Sequence, residues 1–123
     1  MRAENVTILG PQQWDLRVLL LKEDDLWVAQ CIEFDIAAQA KTLHEVKTAF
    51  ARAFLGNVFM AISHGEEPLA TLRPAPAWYS EAYEGASMRE QMSLTPPAEQ
   101  IPKGTPPGKV PRARVEMRID RAA

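Results

Sequence analysis

The stretch that decides the fold is residues 14–46, WDLRVLLLKEDDLWVAQCIEFDIAAQAKTLHEV. Residues 14–22 and 26–35 are rich in branched aliphatic and aromatic side chains, which favour strands. The acidic stretch Glu23-Asp24-Asp25 separates them, so the pattern predicts a β-hairpin with its turn at these acids. The small side chains of residues 36–40 predict a third short strand directly after the hairpin.

A helix is predicted immediately after the third strand. Thr42 and Glu45 form a T-x-x-E capping box, in which the Thr hydroxyl can accept the backbone N–H of Glu45. Apolar residues then recur at three- and four-residue spacing for about 20 residues, until Gly65 and Pro68 end the pattern. The order β-β-β-α predicts an α+β domain in which a three-stranded antiparallel meander packs on one long helix.

The hairpin carries apolar side chains on both faces, and one helix can cover only one of them. An uncovered apolar face usually marks an interface, so we predict a homo-oligomer, most simply a two-fold dimer. The alternative cover is the aromatic segment 75–83 of the same chain, folded back as one or two helical turns. Alternation along the strands places these residues on the face opposite the helix: Leu19, Leu21, Trp27, Ala29 and Cys31.

The C-terminal part of the sequence combines a linker with a strand. Residues 93–111 contain six prolines, two glycines and few hydrophobic residues, which is typical of an extended linker. Residues 112–120 alternate between apolar and charged side chains, which predicts an amphipathic strand. This tethered strand can join an edge of its own sheet, a partner protein or a neighbouring subunit's sheet. We favour the neighbouring subunit because the linker is long enough to reach it.

The pattern divides the chain into an α+β domain (1–92), a Pro-rich linker (93–111) and a C-terminal strand (112–123). Residues 1–10 include enough apolar side chains for one further short strand. The predicted oligomer interface combines the second face of the hairpin with the apolar side of the C-terminal strand: Leu19, Leu21, Cys31, Val115, Met117 and Ile119.

Charge is distributed unevenly along the 123 residues, which carry a net charge of −2. Residues 1–100 hold 8 basic and 14 acidic side chains, whereas residues 101–123 hold 6 basic and 2 acidic ones. An acidic body is a poor candidate for binding a phosphate backbone. Five acids bunch within thirteen residues, either as a solvated turn and strand end or as a docking face for a basic partner: Glu23, Asp24, Asp25, Glu33 and Asp35.

Several functional classes are not expected. No apolar run reaches the roughly 18 to 20 residues that cross a bilayer, and the first residues lack the order of a signal peptide, so we expect a cytoplasmic protein without membrane contact. The single cysteine, Cys31, and the two histidines, His44 and His64, offer no zinc-type ligand cluster, so no metal or cofactor is expected. A two-metal nuclease needs several converging carboxylates, and only Asp15 and Glu45 are loosely placed for this, so we predict no catalysis.

The segment that holds the predicted strands and helix resembles the HicB-like antitoxin domain, also described as a partial RNase H fold. The resemblance covers residues 14–63 and rests on Trp27-Val28-Ala29 in the second strand, the small Ala40 at the end of the third, and the Thr-x-x-Glu helix start. The chain departs from the family at Ala40 and in the turn Asp24-Asp25, where the family usually has glycine.

The resemblance implies a β-β-β-α core that often pairs into dimers and that binds and blocks a small basic HicA-like ribonuclease toxin. Many members also carry a C-terminal ribbon-helix-helix or helix-turn-helix module, but no second periodic apolar pattern follows residue 93, so we expect no sequence-specific DNA binding. The partner-binding residues expected on this hypothesis are an apolar anchor and four acids: Trp27, Glu33, Asp35, Asp24 and Asp25. The alternative function is a stand-alone self-assembling interaction module with no toxin partner.

Overall fold

The computed structural model describes residues 13–101 and 103–120. Within them the strands are β1 (Gln13–Glu23), β2 (Leu26–Cys31), β3 (Ala37–Ala40), β4 (Met88–Leu94) and β5 (Arg112–Asp120). The α-helices are α1 (Leu43–Ser63) and α2 (Ala77–Gly85). Neither of these described helices is long and apolar enough to cross a membrane. The short strand predicted within residues 1–10 lies outside the described residues.

All the described strands belong to one mixed sheet with the order β3-β2-β1-β5-β4. The pairs β1–β2, β2–β3 and β4–β5 are antiparallel, whereas β1 and β5 are parallel. The predicted α+β class is confirmed. The sheet has five strands and not the three of the predicted meander, because β5 and β4 extend it beyond β1.

The hairpin turn lies where the acidic stretch predicts it. Glu23 pairs with Leu26 around a turn of two residues, Asp24 and Asp25. Asp24 adopts a φ of 55°, a left-handed conformation that Asp tolerates better than most side chains. The turn therefore closes without the glycine that is usual in such turns.

Helix α1 begins after Thr42 and ends before Gly65, as the capping box and the glycine predict. The Thr42 hydroxyl oxygen accepts a hydrogen bond from the Glu45 N–H at 3.0 Å. At the other end Gly65 has a φ of 69°, and the Glu66 N–H donates to the Ala61 carbonyl at 2.8 Å, as in a Schellman motif. The helix buries a stripe of apolar residues at helical spacing: Val46, Phe50, Phe54, Val58 and Ile62.

The face of β2 that α1 covers differs from the prediction. The register pairs Val18 with Cys31 and Leu20 with Ala29, so even-numbered residues of β1 lie opposite odd-numbered residues of β2. Residues that lie opposite each other in an antiparallel pair point to the same side of the sheet. Cys31, Ala29 and Trp27 therefore face α1, and the prediction that placed them on the second face is wrong.

Strand β5 is an internal strand of the sheet and not a tethered appendage. It pairs with β1 from Gln13–Arg112 onwards and with β4 on its other side. The side chains of Val115, Met117 and Ile119 are 2%, 2% and 5% exposed in the core beneath α1. The predicted placement on a neighbouring subunit is corrected, because between β1 and β4 the strand pairs on both sides and buries its apolar face.

The Pro-rich segment after β4 is a loop whose two ends meet, because Leu94 pairs with Ala113. Short 3-10 turns at Ala98–Gln100 and Pro107–Lys109 interrupt it. The domain boundary predicted at residue 92 falls inside β4. The loop therefore connects two neighbouring strands of one sheet.

Helix α2 covers the second apolar face of the hairpin. Tyr83, only 1% exposed, packs with Leu19, Leu21 and Ile32 in a second buried cluster. The cover is thus segment 75–83, the alternative to a second copy of the chain. The predicted oligomer interface is corrected, because its six residues lie inside the chain's own core at 5% exposure or less: Leu19, Leu21, Cys31, Val115, Met117 and Ile119.

Candidate protein-binding surface

The predicted partner-binding acids fall into two groups at opposite ends of β2. The turn residues Asp24 and Asp25 precede its first residue, whereas Glu33 and Asp35 follow its last. Strand β2 has six residues, which at about 3.3 Å per residue separate the two groups by about 20 Å. The acids therefore form two surfaces rather than one patch.

The first surface is the hairpin tip, which we define as Glu23, Asp24 and Asp25. All three side chains are exposed. Among the described residues, none forms an ion pair with any of these acids. Their charges are therefore left to act on approaching molecules, and a concentrated negative potential attracts a cationic partner and accelerates its encounter.

Glu33 is already engaged within the sheet. Its carboxylate accepts hydrogen bonds from the Arg17 backbone N–H at 2.8 Å and from Arg17 Nε at 2.6 Å. The hydrogen bond to Glu33 is the main cause of the raised pKa of Arg17. Glu33 thus neutralises Arg17 and fastens β1 to the loop that follows β2, and it is not a free charge for a partner.

Asp35 is exposed and lies in a loop that side-chain and backbone hydrogen bonds hold in place. Its carboxylate accepts from Gln30 Nε2 at 2.9 Å, and its N–H donates to the Arg73 carbonyl at 2.7 Å. Gln30 is 4% exposed, and its Nε2 also donates to the Cys31 carbonyl at 3.0 Å. The buried amide fixes the position of Asp35, and the Asp35 side chain stays exposed.

Trp27 does not have the exposure expected of an apolar anchor. It is half-buried, faces the α1 side of the sheet and packs against the main core. It also pairs with Ala40 of the edge strand β3. An anchor residue binds by leaving water for a pocket of the partner, so the geometry favours a packing role for Trp27.

The structure places an aromatic pair, Trp78 and Tyr79, at the surface. The sequence analysis considered their segment only as a possible cover for the second face of the hairpin. Trp78 is 49% exposed, and its ring stacks on that of Tyr79 with centroids 3.8 Å apart. Tyr79 and Tyr83 are four residues apart on α2 and face the second buried cluster together. Trp78 lies off that stripe, and this helical spacing is the signal that could have marked it as exposed.

A polar groove of about 470 Å³ lies over β1, β5 and β4 on the face of the sheet opposite α1. Arg114 and Asp15 form an exposed ion pair there at 3.4 Å. Glu45 caps α1 on the opposite side of the sheet, so the two acids considered for a nuclease do not converge. Within the described chain, no group of three or more His, Cys, Asp or Glu side chains is arranged to hold a metal ion. The polar side chains that line the groove carry both signs of charge: Asp15, Arg17, Glu33, Gln91, Ser93, Arg114 and Glu116.

Cys31 is expected to be an unreactive thiol. It is 0% exposed, and burial raises its pKa from 9.0 to about 11, so the nucleophilic thiolate is scarce at pH 8. A disulfide-forming thiol reagent should label the native chain slowly and the urea-unfolded chain at once. The neutral thiol favours the folded state, so its contribution to stability is full below pH 9 and is lost as the pH rises toward 11.

The Cys31→Ala variant is the control for this pH dependence. Its free energy of unfolding should lack the part of the alkaline decline that the thiol causes. Rapid labelling of the native chain at pH 8, with a rate close to that of the unfolded chain, contradicts the buried position of Cys31.

Comparison with family models, with curated proteins and with solved structures found no significant match to this chain.

Proposed function

We propose that this chain is a cytoplasmic antitoxin-type protein that binds a small basic protein, a HicA-like ribonuclease toxin, and blocks it by occlusion. The observation that carries the proposal is the hairpin tip, three adjacent and exposed carboxylates that no described side chain neutralises. A ribonuclease holds RNA through cationic side chains. Carboxylates that occupy those cations exclude the phosphate backbone.

The position of strand β3 supports the same proposal. β3 is an edge strand of the sheet, and a sheet edge can accept an added strand from another protein. The register places Ala40 opposite Trp27, near the hairpin tip, and Ala37 opposite Gln30, whose side chain binds Asp35. Acidic side chains therefore lie near both ends of β3, where they can attract an extended basic segment that pairs with this strand.

The structure gives less support to the alternative of a stand-alone self-assembling module. The residues expected to drive self-assembly are buried between the sheet and its two helices. A dimer of the kind implied by the family resemblance has to use a different surface.

The test is a pull-down from native lysate with the tagged full-length chain, followed by a ribonuclease assay of any small basic protein recovered. We expect a ribonuclease that is inactive in the complex and active after separation. The variant Asp24→Asn/Asp25→Asn should weaken its binding at least about tenfold, mainly through a slower association rate. Asn is suited to this test because it tolerates the left-handed backbone of Asp24.

The matched control is Glu66→Gln/Glu67→Gln, which neutralises another exposed pair of adjacent acids, just beyond α1. This variant should bind like the wild type. Equal weakening by both variants, or recovery of no inhibited ribonuclease, contradicts the proposal.

A further inference from the structure

Trp78 is exposed in a place where its ring is held rigid. Of the large hydrophobic residues in the described chain, only Met60, Trp78 and Met88 are markedly exposed. The Trp78 ring stacks on Tyr79 at 3.8 Å with an interplanar angle of 29°. Tyr79 in turn packs against the second buried cluster. An aromatic surface fixed in this way loses little conformational entropy on binding, which is characteristic of interface anchors.

The aromatic pair follows a segment that is fastened to the loop holding Asp35. The segment that leads into α2 is fastened to the loop after β2, because the Asp35 N–H donates to the Arg73 carbonyl at 2.7 Å and the Ala75 N–H donates to the Ile32 carbonyl at 3.0 Å. After burial, the negative charges of Glu23 and Asp35 are the causes of the raised pKa of Tyr79. Negative charge therefore acts on Tyr79, and the segment before α2 lies against the loop that holds Asp35.

Further acidic charge lies on α2 itself. Glu81 is three residues after Trp78, so both lie on the same face of the helix, and both are exposed. Arg73, whose carbonyl accepts from the Asp35 N–H, is an exposed cation in the segment before α2. The surroundings of Trp78 are predominantly acidic, which favours a cationic ligand over an anionic one.

We propose that Trp78 and Tyr79, together with Asp35, form a platform that binds an arginine side chain of the basic partner. The guanidinium group is planar and stacks on an indole face, while its N–H groups donate to nearby carboxylates. A lysine ammonium has no planar surface to stack and is more strongly hydrated. The inference rests on the proposed function for its partner, and it replaces Trp27 by Trp78 as the aromatic anchor.

The experiment measures binding of the full-length chain to an oligoarginine peptide and to an oligolysine peptide of equal length, by calorimetry at one fixed ionic strength. The wild type should bind oligoarginine several-fold more tightly. Trp78→Ala should weaken oligoarginine binding about tenfold, leave oligolysine binding nearly unchanged and so abolish the preference. Trp78→Phe, which keeps an aromatic face, should restore part of it.

The control is Met60→Ala, which removes another exposed hydrophobic side chain, 59% exposed, from α1. It should leave both affinities unchanged. Equal wild-type affinity for the two peptides, or an undiminished preference in Trp78→Ala, overturns the platform.

The peptide titration and the pull-down separate the two proposals. A chain that captures an inhibited ribonuclease but shows no preference for oligoarginine overturns the platform and leaves the proposed function standing. A chain that prefers oligoarginine through Trp78 but captures no inhibited ribonuclease supports the platform and overturns the proposed function.

Discussion

A chain that ends at residue 111 is expected to lack stable tertiary structure, because it loses β5 from between β1 and β4. The loss removes the buried side chains of Val115, Met117 and Ile119 and exposes the core that packs on them. Each such side chain contributes about 1.5–3 kcal/mol when fully buried, and the total stability of a domain is about 5–15 kcal/mol. Near-UV circular dichroism should show no fixed aromatic environment, and heating should show no cooperative transition.

Single substitutions in the full-length chain provide the control for this truncation. Met117→Ala creates a cavity in the core and should cost about 2–5 kcal/mol in urea unfolding. Arg114→Ala, on the same strand but with a side chain 84% exposed, should change stability by less than about 0.5 kcal/mol. A chain ending at residue 111 that still unfolds cooperatively contradicts an internal β5 and supports a separable C-terminal strand.

Tyr83→Ala is expected to cost about 3–5 kcal/mol, as for other large aromatic side chains deleted from a core. Tyr83 is 1% exposed and connects α2 to the sheet. Its hydroxyl donates to the Glu116 carbonyl at 3.2 Å, and the Arg118 guanidinium lies 4.5 Å from its ring centroid. The Arg118 guanidinium also donates to the Tyr83 carbonyl at 3.1 Å. The loss should appear as a lower urea midpoint, and α2 should separate from the sheet.

Two substitutions divide this effect into its parts. Tyr83→Phe keeps the ring and its contacts with Arg118 and should cost only about 1 kcal/mol, the net value of the hydroxyl's hydrogen bond. Trp78→Ala, on the same helix but 49% exposed, removes one stacked ring pair and should cost about 1 kcal/mol. If Tyr83→Ala is no more destabilising than Trp78→Ala, α2 does not cover the second face of the sheet.

The hairpin and α1 could be predicted because their signals are local. A run of strand-forming residues broken by Asp24-Asp25, and a capping box that begins with Thr42, identify elements within a few residues of themselves. The position of β5 could not be predicted in this way, since alternation marks a strand but does not specify its neighbours. Strand β4 gave almost no signal, because it lies at an edge where Met88 is 40% exposed and only Leu94 is fully buried.

In the candidate site, too, features with a local sequence signal could be predicted and features that depend on tertiary contacts could not. The exposure of Asp24 and Asp25 follows from their turn, which the sequence locates. The pairing of Glu33 with Arg17 depends on the register of β1 against the loop after β2, and no short-range pattern reveals it. The position of the aromatic pair relative to Asp35 depends on the tertiary contact between residues 73–75 and 32–35, which no local pattern predicts.

The internal position of β5 also has a consequence for how the protein is made. The ribosome adds about 5–20 residues per second and delivers β1 long before its parallel neighbour. Until residues 112–120 emerge, β1 has an unpaired edge and the five-stranded sheet cannot form. Pairing between segments so far apart in sequence is also slow. Synthesis that stops before residue 112 therefore gives an unfolded fragment for the cell's proteases, because the sheet is complete only once β5, the last of the five described strands along the chain, has been made.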